Sequence, residues 1–165
     1  MSTQPYYHKE AKNWEATPAP TNELSYTVFL VGDAGEAETD PYEPSLAAMK
    51  TMVEQADQDN SAVVFLGDNL YPKGLHKKGH ALRNQDENRL MSQIHVVEDF
   101  GGKIVFVPGN HDWEQGGQNG WDNVRRQEEY IEEKLDGKNV FRPDNGCPGP
   151  VVKKLTDDVV LMIID

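Results

Sequence analysis

Three runs of β-branched and aromatic residues each end in a glycine followed by a metal-binding side chain. Val28 leads to Gly32-Asp33, Val63 to Gly67-Asp68-Asn69, and Ile104 to Gly109-Asn110-His111-Asp112. Carboxylates, an amide and an imidazole gathered at three strand ends suit the hydrolysis of a phosphoester. Two metal ions about 3.5 to 4 Å apart lower the pKa of a water and neutralise charge on phosphoryl oxygens, and such a pair needs one carboxylate shared between the ions. Asp68 is the candidate bridge, Asp33 a ligand to one ion, and Asn110, through its neutral carbonyl oxygen, a ligand to the other. His111 is the candidate catalytic residue, donating a hydrogen bond to the phosphoryl group or its leaving oxygen, with Asp112 expected to orient it or stabilise its charge. Each glycine before a ligand is expected to let the backbone turn sharply and to leave room for the ions. Asp and Asn after a strand are also ordinary turn formers. Three such ends together, each closing a buried run, favour a site.

The elements that must position these residues alternate in type. Tyr26 to Val31 is a continuous apolar run of strand length, expected to be buried on both faces, and Ala62 to Leu66 and Lys103 to Val107 repeat the signature. Between them lie a helical pattern opened by Pro44, with Leu46, Met49, Met52 and Val53, and a second from Arg89 to Phe100, with Leu90, Met91, Ile94 and Val97. Strands alternating with amphipathic helices predict right-handed βαβ crossovers and a parallel sheet, hence an α/β fold. In such a sheet ligands collect beyond the C-terminal strand ends. A third helix is expected from Trp121 to Leu135, a Gly/Pro-rich loop from Asp136 to Pro150, and a hairpin of Val151 to Leu155 and Val159 to Ile164 around Thr156-Asp157-Asp158. Residues 1–23, polar and with Pro5, Pro18 and Pro20, read as an arm or linker whose Tyr6, Tyr7 and Trp14 dock on the domain surface.

Composition narrows the classes. Against 28 Asp plus Glu stand 16 Lys plus Arg, a formal charge of −12, so a nucleic-acid backbone would be repelled. No apolar run approaches the roughly 20 residues that span a bilayer, and no signal peptide is visible, so a soluble protein is expected, cytoplasmic or, if processed from a longer precursor, extracytoplasmic. The single Cys147 excludes an internal disulfide framework or a thiolate metal cluster. No G-x-G-x-x-G opens the first helix, which disfavours a dinucleotide-binding domain.

In order and spacing, 35 residues from Asp33 to Asp68 and 42 from Asp68 to Asn110, these motifs resemble the first three of the calcineurin-like metallophosphoesterases. The resemblance implies a βαβαβ core flanked by helices, forming half of a four-layer α/β/β/α sandwich, with residues 24–165 as the N-terminal part of the domain. Many members carry Asp-x-His in the first motif, whereas this chain has Asp33-Ala34-Gly35. Gly67-Asp68-Asn69-Leu70-Tyr71 instead resembles the Gly-Asp-Asn-x-Tyr of purple acid phosphatases, and in that branch the tyrosine is a ligand. Two metal ions are thereby implied, with Fe(III) at the Tyr71 position and Fe, Zn or Mn as the second, because a phenol with pKa near 10 ionises at neutral pH only against a strong Lewis acid. The family's later His and closing Gly-His-x-His are expected in a remainder of the domain after Asp165, so the isolated chain is expected to be nearly inactive. The expected substrate is a small-molecule or protein phosphoester; the alternative is a non-catalytic interaction module that keeps the scaffold with an incomplete site. His76, Lys77, Lys78 and His80 read as a solvated basic loop, His95 as a helix-surface residue, and Trp113 as a packed rim residue.

Overall fold

The computed structural model describes residues 24–164. The expected arm over 1–23, with Tyr6, Tyr7 and Trp14, lies outside the described residues, as does Asp165. The three short apolar runs form β1 (Thr27–Val31), β2 (Ser61–Phe65) and β3 (Lys103–Phe106), paired in parallel in the order β1-β2-β3. Between them run α1 (Pro44–Glu54) and α2 (Arg83–Val97), and α3 (Gly120–Lys134) follows. Each crossover steps the same way along the sheet, so right-handed connections bring the helices to one face. There Leu46 and Val53 of α1, Leu90, Ile94 and Val97 of α2, and Val124 and Ile131 of α3 share a core with Val63, Phe65, Ile104 and Phe106. Phe65 and Phe106 stack with ring centroids 4.1 Å apart, each contributing about 1.5–3 kcal/mol through burial.

Helix α1 starts where the sequence places it, with Pro44 in the first turn and the Glu43 side chain accepting from the Ser45 amide. Helix α2 begins six residues before the predicted Arg89. Its first turn lacks an apolar stripe and is held by polar bonds instead: Arg83 Nη1 donates to His76 O at 2.6 Å, and Asp86 Oδ2 accepts from the His76 amide at 3.1 Å.

The other face carries the hairpin of β4 (Val151–Lys154) and β5 (Val160–Ile163), antiparallel as predicted. Ile163 buries itself against Val64 and Val105, and two lysine ammoniums stitch the layers together, Lys103 to Leu155 O at 2.5 Å and Lys153 to Ile104 O at 3.2 Å. Burial, with the charges of Arg142 and Lys103 nearby, lowers the Lys153 pKa. The expectation that the first strand is buried on both faces fails. By register Val28 and Leu30 point to the hairpin side, beside Ala62 and Val64, and they are 38% and 60% exposed, because β1 is the edge strand and the hairpin packs over β2 and β3. The segment expected as a plain loop after α3 closes the opposite edge: Phe106 N donates to Val140 O at 2.9 Å and Arg142 N to Phe106 O at 2.7 Å, a one-residue parallel bridge through Phe141. Among the described residues no helix is long and apolar enough to cross a membrane.

Candidate metal centre

The loops leaving the three parallel strands meet at their C-terminal ends. After β1 the Asp33 amide donates to Gly67 O at 3.2 Å, and Asp33 takes a left-handed φ of 57°. After β2 Gly67 (φ +109°) turns the chain, and Asp68 follows at φ 51°. Glycine is needed at two of the three predicted positions. A Cβ on Gly67 would come within 2.8 Å of Gly109 N and Cα, and one on Gly109 within 2.3 Å of Asp68 N, so the β2 and β3 loops touch backbone to backbone. Gly32 breaks the pattern, since a Cβ there would meet nothing nearer than 3.9 Å and its φ is not left-handed. The tight glycine of the first loop is Gly35, where a Cβ would lie 2.6 Å from Asp68 O and 2.8 Å from the Tyr71 ring.

That packing brings three oxygen donors together. Tyr71 Oη lies 2.6 Å from Asp33 Oδ1 and 2.9 Å from Asp68 Oδ2. One phenolic proton thus serves two carboxylates; the hydrogen bond to Asp33, burial and the hydrogen bond to Asp68 raise the Tyr71 pKa. Two anionic oxygens arranged around a single proton suit replacement of that proton by a cation, and hard oxygens suit a hard ion. Asp68 Oδ1 accepts from the His111 amide at 3.0 Å, which ties the central carboxylate to the third strand end. Asn110 stands at that end with an exposed residue surface, and its side chain makes no hydrogen bond to another described residue. Among the described residues no three His, Cys, Asp or Glu side chains cluster as metal ligands; the donor set is two carboxylates and a phenol.

His111 is held differently from expectation. Its Nδ1 lies 2.8 Å from Pro72 O, an acceptor only, so Nδ1 carries the proton and donates. Nε2 is left with the Gln115 side-chain amide nitrogen at 3.4 Å. The imidazole meets the Tyr71 ring edge-on, with centroids 4.5 Å apart. The expected Asp112–His111 contact does not form. Asp112 is fully buried, and its carboxylate accepts from Gly109 N at 2.8 Å, Asn69 N at 3.0 Å, Leu70 N at 3.0 Å and Gln127 Nε2 at 2.9 Å. Burial pushes its pKa up to about 6, against the downward pull of those donors. Asp112 therefore binds the loops after β2 and β3 to each other and to α3, a role that follows from its facing inward while His111 turns to Pro72 O and the Tyr71 ring.

Several partners of this arrangement carry no motif. Gln127 reaches Asp112 from α3, Gln93 Nε2 donates to Asn69 O at 2.8 Å from α2, and Arg89 Nη1 donates to Tyr71 O at 2.7 Å. A signal existed for the glutamines. Gln127 falls in the apolar stripe of Val124 and Ile131, and Gln93 beside Leu90, Ile94 and Val97, positions where a polar side chain implies a buried partner. Beside the site, between β1 and α1, a cavity of about 620 Å³ reaches Asp33. The family model described as calcineurin-like phosphoesterase matches residues 26–157, most of the chain. No curated protein and no solved structure matches it.

Proposed function

The chain belongs to the calcineurin-like phosphoesterase family, and from that premise we propose that it is a metal-dependent phosphoester hydrolase with a dinuclear centre. Asp33, Asp68 and Tyr71 would hold one ion, and Asp68 with Asn110 would hold the second. The observation that carries this reading is the convergence of the Tyr71 hydroxyl on both carboxylates, 2.6 and 2.9 Å away. Bound ions supply Lewis acidity and a water acidic enough to lose its proton near neutral pH. The chain's own groups do the rest. Asp33 and Asp68 offset the cationic charge, and the amide of His111 fixes the Asp68 orientation. With Nδ1–H anchored on Pro72 O, a protonated His111 has only Nε2–H to donate, to a phosphoryl oxygen or to the oxygen of the departing alcohol. The phenol in place of the first-motif imidazole supports the purple acid phosphatase branch, with Fe(III) beside Tyr71 and Fe, Zn or Mn as its partner.

Metal analysis of purified variants tests the reading. Asp68→Asn is expected to lose both ions, because a shared carboxylate is removed, and Asp33→Asn mainly one. Unchanged metal content in both would overturn the two-metal assignment. With iron bound, a visible phenolate band that Tyr71→Phe abolishes would support the branch, and a band that survives would reject it. The second reading is a non-catalytic module that retains the scaffold, since among the described residues no three His, Cys, Asp or Glu side chains cluster. Such a module need not bind two equivalents of metal, so the same stoichiometry separates the two.

A further inference from the structure

Between the loop after Tyr71 and the start of α3 opens a cavity of about 470 Å³ with the Lys73–Glu114 ion pair in its wall, and the Glu114 amide donates to His111 O at 2.9 Å. Its walls hold Lys73, Lys77 and Arg126 beside the imidazoles of His76 and His80, a concentration of basic side chains on a chain of net charge −12. Most of that charge has no counterion. Arg126 is held by neutral oxygens, Nε on Leu75 O at 2.8 Å and Nη2 on Asn123 Oδ1, and the Lys77 ammonium has no ion-pair or hydrogen-bond partner among the described residues. Of the two carboxylates in the wall, Glu114 is engaged by Lys73 and by the Asn119 amide at 2.9 Å, leaving Asp122 as the opposing charge.

The two imidazoles are built into place. His76 Nδ1 lies 2.8 Å from the buried Asp86 carboxylate, and the His80 ring stacks on His76 with centroids 4.0 Å apart and planes 5° from parallel. His80 Nδ1 accepts from the Leu82 amide at 3.2 Å, so its ring proton sits on Nε2. Fixed N–H donors, a guanidinium and a lone ammonium around one cavity match the oxygens of a multiply charged anion. The connection to the candidate centre is short in the chain: Lys73 follows Pro72, whose carbonyl anchors His111.

We propose that this cavity is a second anion subsite, so that the substrate class is a phosphoester bearing a further phosphate or comparable dianionic group away from the scissile bond. The proposal rests on the phosphoesterase reading above. It can be tested by titrating the protein with inorganic phosphate, methylphosphonate and an alkane-bridged bisphosphonate while following the ring C–H resonances of His76 and His80. Saturable shifts are expected, weakened about tenfold or more in Lys77→Ala, the scale of one charge-assisted hydrogen bond, and unchanged in the remote surface variant Lys138→Ala. The bisphosphonate should bind more tightly than methylphosphonate, and Lys77→Ala should erase that advantage. Absence of saturable shifts, equal weakening by Lys138→Ala, or a bisphosphonate that binds no more tightly would each overturn the subsite. Failure of the phosphoesterase reading would register separately, as unchanged metal content in Asp68→Asn, with the His76 and His80 response still readable.

Discussion

The C-terminal end of the parallel sheet and its hairpin face are held by different forces. At the end, one buried carboxylate, Asp112, collects three backbone amides and a glutamine amide from the loops after β2 and β3 and from α3. On the hairpin face, the buried contact is apolar and small, Val64, Val105 and Ile163, and the edge strand's Val28 and Leu30 stay open to solvent. Directional bonds fix where Asp68, Tyr71 and His111 stand. Apolar contact is non-directional, and on the hairpin face it is joined by the bonds from Lys103 to Leu155 O and from Lys153 to Ile104 O to keep the hairpin in place. The placement of Asp68 and Tyr71, proposed above as ligands, is therefore expected to depend on the buried Asp112 network.

Substitutions at four positions probe that contrast. Asp112→Ala is expected to cost about 3–5 kcal/mol, because several buried donors lose a charged acceptor at once; chemical denaturation measures it, and a loss under about 1 kcal/mol would show that the loops hold without the network. The same carboxyl has a pH signature. Its folded pKa, about 6 against an ordinary 3.8, favours protonation in the fold, so the stability it adds is complete below the unfolded value and is lost as pH rises through the folded one. The gap in stability between the protein and Asp112→Asn should thus be larger at about pH 5 than at about pH 7.5. His111→Ala comes next: it should lower kcat on an alkyl phosphate by about 10²-fold while leaving metal content and the denaturation midpoint nearly unchanged, since its side chain bonds only to Pro72 O and Gln115. Loss of metal would make it a ligand.

Ile163→Ala should cost about 2 kcal/mol, the low end for a buried isoleucine, without altering metal stoichiometry; a loss of bound metal would mean that the hairpin, too, positions the centre. Leu30→Ser should change stability by no more than about 0.5 kcal/mol. A cost of several kcal/mol would show that the outer face of β1 is buried in the protein in solution.

The parallel sheet, its helices and the meeting of Asp33 with Asp68 were legible in the sequence because strand-end motifs and alternating periodicity encode them directly, whereas Tyr71 was legible only through the resemblance of Gly67-Asp68-Asn69-Leu70-Tyr71 to a known motif. Other features depend on neighbours distant in the chain. The apolar run of β1 looks like that of β2, and only sheet order decides which of them is covered. The early start of α2 depends on Arg83 and Asp86 finding His76, a polar contact that apolar periodicity does not register. Asp112 reads as a partner for its neighbour His111, yet adjacent residues on an irregular turn point opposite ways. Gly32 carries the motif's letter without its steric reason, which resides at Gly35.

The one-directional strand order has a consequence in time. Chain synthesis delivers Asp33, then Asp68 and Tyr71, and only later the loop with His111 and Asp112, while each new strand pairs with the one just completed. Pairing with near predecessors keeps loop closure short and favours stepwise growth of structure. The clamp on Asn69 and Leu70 nevertheless waits for Asp112, 43 and 42 residues downstream. Pulse-labelled hydrogen exchange should therefore find the amides of Asn69 and Leu70 gaining protection together with β3 rather than with β2, so that the corner carrying Asp68 and Tyr71 stays pliable until the third strand locks it.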